Sequence, residues 1–364
     1  MKKVIVLVSV STLLATKACA IGMYSLTDLG ALGTSYSYGY GINNSNQVTG
    51  YSAAAGNTGD HAFIYNSGSG LTDIGTFGGV NSYGYSINNS GTVAGYSFGT
   101  GGTFYHAMSY HAGSGMIDLG TLGGNLSQGY FINNSGQVVG VSRRSSGPDH
   151  AFIYTPGTGM VDLGTLSGTS TAYGINDSGI ATGFSTTPSG ITDHAFVASV
   201  GGGMADIGTL GGDGSTGFAI NNSGFITGTA QTAGNASSHA FLWSSGTGMV
   251  DLGTLAFGST GYAINASKDV VGISTNPNLQ GRATLFTSGS AYDLNNFVDS
   301  SAAGWTLTQA RGINDNGVIS GFGVVNGQAR GYILTPTVPE PGSILVLGLG
   351  SILFLRRRQN RSQS

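Results

Sequence analysis

The chain has 364 residues, 65 of them Gly, with only 8% charged residues and a formal net charge of −3. Glu occurs once, at Glu340, and Cys once, at Cys19. Paired catalytic Glu residues and a disulfide framework are thereby excluded. Strong helix formers are scarce while Val, Ile, Thr, Tyr and Phe abound, and 40% apolar residues can supply a core. That composition predicts a folded all-β protein rather than a low-complexity chain.

Residues 1–20 combine a basic start (Lys2, Lys3), an apolar run from Val4 to Ala15, and Ala18-Cys19-Ala20. This is the pattern of a removable secretion signal. Cleavage there would take away the only cysteine, leaving no thiol nucleophile or thiolate metal ligand. Between Ile21 and Val338, six basic residues stand against fifteen Asp, so the body carries a charge near −9. Nucleic acid is disfavoured as a partner.

Residues 21–337 are dominated by a repeat of 42 to 49 residues. One element places Asp at 28, 73, 118, 162, 206, 251 and 293; another places Asn at 43, 88, 133, 176, 221, 265 and 314. A third begins at His61, His106, His150, His194 and His239, with Arg282 and Arg330 in the last two units. Each unit reads as four short strands, with Asn-Asn-Ser-Gly runs suited to tight hairpins. Tyr40, Tyr85, Tyr130, Tyr173, Phe218 and Tyr262 lie two residues before Ile, putting each pair on one strand face. A glycine recurs in every second strand, at 50, 95, 140, 183, 228, 272 and 321, where a neighbouring backbone or ring would crowd the strand. Four strands in about 45 residues predicts a seven-bladed β-propeller of four-stranded blades. The repeat body starts on a lone fourth strand (Tyr24 to Leu29) and ends on a third strand (Arg330 to Leu334), so the N-terminal strand would close the last blade. An open β-solenoid is the alternative.

With His61-Ala62-Phe63, His150-Ala151-Phe152, His194-Ala195-Phe196, His239-Ala240-Phe241 and Asp118 to Gly124, the body resembles the HAF family of extracellular repeats. That resemblance implies an extracellular location and no settled activity.

The recurrent His invites a metal or acid–base reading. Ligands placed once per blade would be spread around a ring rather than converge, and Arg282 and Arg330, which cannot ligate metal, occupy the same position. The five histidines are therefore read as structural hydrogen-bond donors, to a neighbouring loop or to the recurrent Asp. No catalytic residue, metal site or cofactor is assigned, and calcium lacks a supporting ligand spacing. Asp177, Asp213, Asp269, Asp299 and Asp315 mostly fall in predicted turns, where Asp is favoured anyway. Trp305 and Arg311 depart from the repeat, Arg311 in an aromatic position, and are the candidate ligand contacts. Trp243 reads as core.

Residues 338–364 carry Pro339-Glu340-Pro341, an uncharged run from Gly342 to Leu355, and Arg356, Arg357, Arg358 and Arg361. The order resembles a PEP-CTERM sorting signal. That resemblance implies exosortase processing, transient anchoring in the inner membrane of a Gram-negative bacterium with the arginines cytoplasmic, and release to the surface or outside. The expected function is a non-enzymatic binding or structural component of the exopolysaccharide or biofilm matrix, with exopolysaccharide or a cell-surface protein as partner. The alternative is a polysaccharide-active hydrolase or lyase using Asp.

Overall fold

The structure is a computed structural model and describes residues 22–56 and 58–337. The secretion signal, the Pro339-Glu340-Pro341 motif, the apolar run and the arginine cluster lie outside the described residues.

The described chain is all β, with 28 strands and four single-turn 3-10 helices. The seven sequence repeats become seven units, each an antiparallel meander. In the first unit these strands are Ser37–Ile42, Val48–Ala53, Asp60–Asn66 and Gly70–Asp73. The last unit is built from Trp305–Ile313, Ile319–Val325 and Gln328–Pro336, with Tyr24–Asp28 added antiparallel to the third.

The expected seven-bladed propeller of separate four-stranded blades is corrected by the hydrogen bonding. Five sheets have four strands and one has eight, so the sheets number six, and none curls shut into a barrel or propeller. The eight-stranded sheet arises because Gly123–Ile132 pairs with Tyr105–His111 in parallel at Leu126 and Tyr105, joining the second and third units.

Successive units are joined by side chains. Asn43 Nδ2 donates to the Asn88 carbonyl (2.9 Å), Asn88 to Asn133 (3.1 Å), Asn133 to Asn176 (3.0 Å) and Asn176 to Asn221 (3.4 Å). Asn221 donates to Asn265 (3.0 Å), Asn265 to Asn314 (3.5 Å), and Asn314 back to Asn43 (3.0 Å). The relay returns to its origin, so the units do not form an open stack.

The His-Ala-Phe triplet has a packing explanation. Its Phe is fully buried at Phe63, Phe152, Phe196 and Phe241, each stabilising the fold by roughly 1.5–3 kcal/mol. Its Ala is fully buried against the next unit, where a serine Oγ accepts the Ala N–H: Ala62 donates to Ser82, Ala107 to Ser127 and Ala151 to Ser170. The glycines of the second strands meet the preceding strand's backbone. A Cβ on Gly140 would overlap the Gln128 carbonyl oxygen and crowd the Phe152 ring, and one on Gly95 would overlap the Tyr83 carbonyl oxygen.

Candidate functional site

The first strands of all seven units converge on one cavity of about 350 Å3. A β-bulge puts each unit's special residue there. The register between first and second strands slips at Tyr85, Tyr130, Tyr173, Phe218, Tyr262 and Arg311, and over Tyr40-Gly41 in the first unit. A bulge re-aims a side chain, and here all seven meet. Ring centroids stand 5.2 Å apart for Tyr40 and Tyr85, 5.6 Å for Tyr85 and Tyr130, and 5.0 Å for Tyr130 and Tyr173. Tyr173 and Phe218 follow at 5.2 Å, and Phe218 and Tyr262 at 5.5 Å. The seventh place belongs to Arg311, whose guanidinium carbon lies 3.9 Å from the Tyr262 centroid and 5.1 Å from that of Tyr40. Burial pushes the phenols of Tyr85, Tyr130 and Tyr173 up, so they stay neutral donors.

The other end of this axis is polar. Isoleucines 42, 87, 220, 264 and 313 form a collar shared by the aromatic well and an asparagine-lined mouth. At the mouth the Asn44 N–H donates to Asn89 Oδ1 (3.0 Å), Asn89 to Asn134 (3.0 Å), Asn134 to Asp177 (2.8 Å) and Asp177 to Asn222 (2.9 Å). Ala266 donates to Asp315 (3.0 Å) and Asp315 to Asn44 (3.1 Å). The link from Asn222 to position 266 is missing because alanine offers no side-chain acceptor. Burial pushes the Asp177 carboxyl up, but donors from Asn134 and Asn222 outweigh it and hold it below the usual range.

Tyrosines extend the well on one side only. Tyr38 meets Tyr51 at 5.0 Å and Phe322 at 4.9 Å; Tyr83 meets Tyr51 and Tyr96, each at 4.9 Å. The corresponding first-strand positions of the fourth, fifth and sixth units hold Thr171, Thr216 and Thr260. The crescent ends at Asp60, whose carboxylate accepts from Tyr36 Oη (2.6 Å) and Tyr83 Oη (3.1 Å). The bond to Asp60, with burial, raises the Tyr36 phenol to about 12.

The recurrent histidines face the recurrent aspartates of their own units. Nδ1–carboxylate distances are 2.7 Å for His61–Asp73, 2.8 Å for His106–Asp118, 2.9 Å for His150–Asp162, 2.7 Å for His194–Asp206 and 2.8 Å for His239–Asp251. In the sixth unit Arg282 lies 3.8 Å from Asp293. Arg330 donates instead to Gln328 (2.9 Å). Among the described residues no three His, Cys, Asp or Glu side chains gather at one point. Trp305 and Arg311 share a strand but not a site: Trp305 packs edge-on to Tyr332 against the core of the last unit. Trp243 is partly buried beside the Phe241 cluster.

Sequence reasoning missed the asparagine relay, the bulges and the tyrosine crescent. The signal for the relay was present, since the Asn recurs more strictly than a hairpin turn demands.

The PEP-CTERM protein-sorting motif matches residues 337–359. It marks the chain for sorting to the cell surface or the outside and implies interaction with exosortase machinery. No curated protein shows significant sequence similarity to the chain. Solved structures similar to it include a gluconolactonase from Xanthomonas campestris (8% identity, 88% of this chain and 93% of that one, TM-score 0.42). A puromycin hydrolase is similar at 10% identity over 76% of this chain and 47% of that one, TM-score 0.47. TolB from Acinetobacter baumannii is similar at 11% identity over 82% of this chain and 64% of that one, TM-score 0.42. The expectation that the chain is not an enzyme is not upheld: a gluconolactonase and a puromycin hydrolase are among the solved structures similar to it. The likeness is one of fold and assigns no activity or substrate.

Proposed function

We propose that this is an exported HAF-repeat protein that engages extracellular polysaccharide in its aromatic well. In this reading residues 1–20 are removed on export, residues 21–337 form the working body, and residues 338–364 are the sorting tail. The five His–Asp pairs serve as structural fasteners between the third and fourth strands. The observation that carries the reading is the well itself, six aromatic rings continued by a one-sided tyrosine crescent. Sugar rings offer C–H faces that lie on aromatic faces, and their hydroxyls meet phenols that burial keeps protonated.

A second reading, hydrolysis of the bound chain, draws on Asp60. Its carboxylate stands at the end of the crescent, oriented by two phenols. A carboxylate held in this way can serve as the base or nucleophile that glycoside cleavage requires.

Both readings are tested by incubating the full chain with host exopolysaccharide and following retention and chain length. Loss of retention in Tyr83→Ala and Tyr130→Ala is expected, and retention unchanged in both would refute the binding reading. Shortened chains that stay intact with Asp60→Asn would support hydrolysis. Chains of unaltered length would refute it.

A further inference from the structure

The aromatic well contains one residue that does not belong to an apolar ring. Arg311 occupies the bulge where the other six units place Tyr or Phe. Its Nε is buried and has no hydrogen-bond partner. It has no ion pair among the described residues, and its only contacts of note are ring faces, with Phe322 as the third at 5.8 Å. The other arginines of the body are provided for: Arg143 with Asp149, Arg144 with Asp162, Arg282 with Asp293, and Arg330 with Gln328. A seventh tyrosine would have completed the ring at no electrostatic cost. A guanidinium here has been drawn partly out of water without a carboxylate to meet it, which is unfavourable unless something else supplies one.

We propose that the well binds an acidic sugar, with the carboxylate of a uronate residue on Arg311 and its ring against the neighbouring tyrosines. A guanidinium presents a planar fork that matches a carboxylate with two parallel hydrogen bonds. Tyr262 and Tyr40, whose ring centroids lie 3.9 and 5.1 Å from the guanidinium carbon, hold the fork in place by cation–π attraction. A cavity of about 350 Å3 lies in the usual range for small-ligand sites, roughly 300–1,000 Å3. It is far larger than an inorganic anion needs. Apart from Ser86 and two glycines the rest of its wall is aromatic and aliphatic, so the site has one cationic feature and a surface for a sugar face. The body as a whole is acidic, and the ligand's charge is therefore recognised locally, by this one residue.

The inference rests on the polysaccharide reading above and names its substrate class. Its test is calorimetric titration of the full chain with three probes: a glucuronate tetrasaccharide, a glucose tetrasaccharide and acetate. The uronate tetrasaccharide is expected to bind most tightly. Arg311→Gln is expected to weaken it roughly 10- to 100-fold, the value of a charge-assisted hydrogen bond, while changing glucose binding less than about threefold. Arg311→Lys keeps the charge but not the fork, and should fall between the two. Melting curves and tyrosine fluorescence of each variant establish that the well is still formed. A neutral tetrasaccharide that binds as tightly as the acidic one, or uronate binding that survives Arg311→Gln, overturns the inference and leaves the polysaccharide reading standing. Acetate matching the uronate tetrasaccharide overturns the sugar part. Binding of neither tetrasaccharide refutes the polysaccharide reading itself.

Discussion

Replacing Asn133 by Ala should destabilise the protein more than the same change at Asn265, although both residues hold the same place in the repeat. Asn133 Oδ1 accepts from the Ser135 and Gln137 N–H groups at 3.1 and 2.9 Å, fixing its own hairpin. Its Nδ2 donates to Gln137 Oε1 at 2.8 Å and across to the Asn176 carbonyl at 3.0 Å. The side chain is almost fully buried, so water cannot replace the bridge between units. Four such bonds, two of them partly recoverable by solvent at the exposed turn, amount to about 2–4 kcal/mol. Asn265 makes one good bond, to the Asp269 N–H at 2.9 Å, and two stretched ones, at 3.3 Å to Asp269 and 3.5 Å to the Asn314 carbonyl. Its loss should cost about 1–2 kcal/mol. The difference corresponds to a gap of roughly 2–6 °C in Tm, measurable by circular dichroism melting of both variants beside the parent. Equal shifts, or a larger one for Asn265→Ala, would refute the claim that the cross-unit bond stabilises the ring of units.

Three further outcomes follow from the geometry. Ala266→Asn should restore the missing acceptor for the Asn222 N–H and raise stability by about 0.5–1.5 kcal/mol, read as a higher denaturation midpoint; an unchanged or lower midpoint counts against the relay. Gly140→Ala should cost about 3 kcal/mol or prevent folding, because its Cβ has nowhere to go beside the Gln128 carbonyl; secretion yield and urea unfolding report it, and a well-folded variant would contradict the close approach. Because Tyr36 is held up to about 12 by Asp60, its folded value exceeds the unfolded one. The stability it contributes is therefore intact below pH ~10 and lost as pH rises toward 12. Ultraviolet titration should find one late-ionising phenol fewer in Asp60→Asn.

Much of the arrangement was readable because the repeat expresses one packing problem seven times. The glycine at 140 announces a close backbone approach, and the Gln128 carbonyl is what it approaches. The number and extent of the sheets were not readable. The parallel pairing at Leu126 and Tyr105 depends on how near two units drift, which no single unit encodes. Arg311 stood out as a departure from the pattern, but not as a member of an aromatic ring. That membership requires a bulge, and a bulge moves a residue off the face that strict alternation assigns to it. The crescent was hidden because its tyrosines differ from the repeat at several positions, over two neighbouring units, rather than at one position.

The pairing of Tyr24–Asp28 with Gln328–Pro336 also sets the order in which the molecule can assemble. Six units are contiguous meanders whose strands need close only short loops. The seventh waits for two segments more than 300 residues apart, with the Thr337 hydroxyl finally reaching the Met23 carbonyl. Closing so long a loop contributes nothing until the contact is made. The seam should therefore be the slow step of folding, and it should also be the first place where the body opens under denaturing stress.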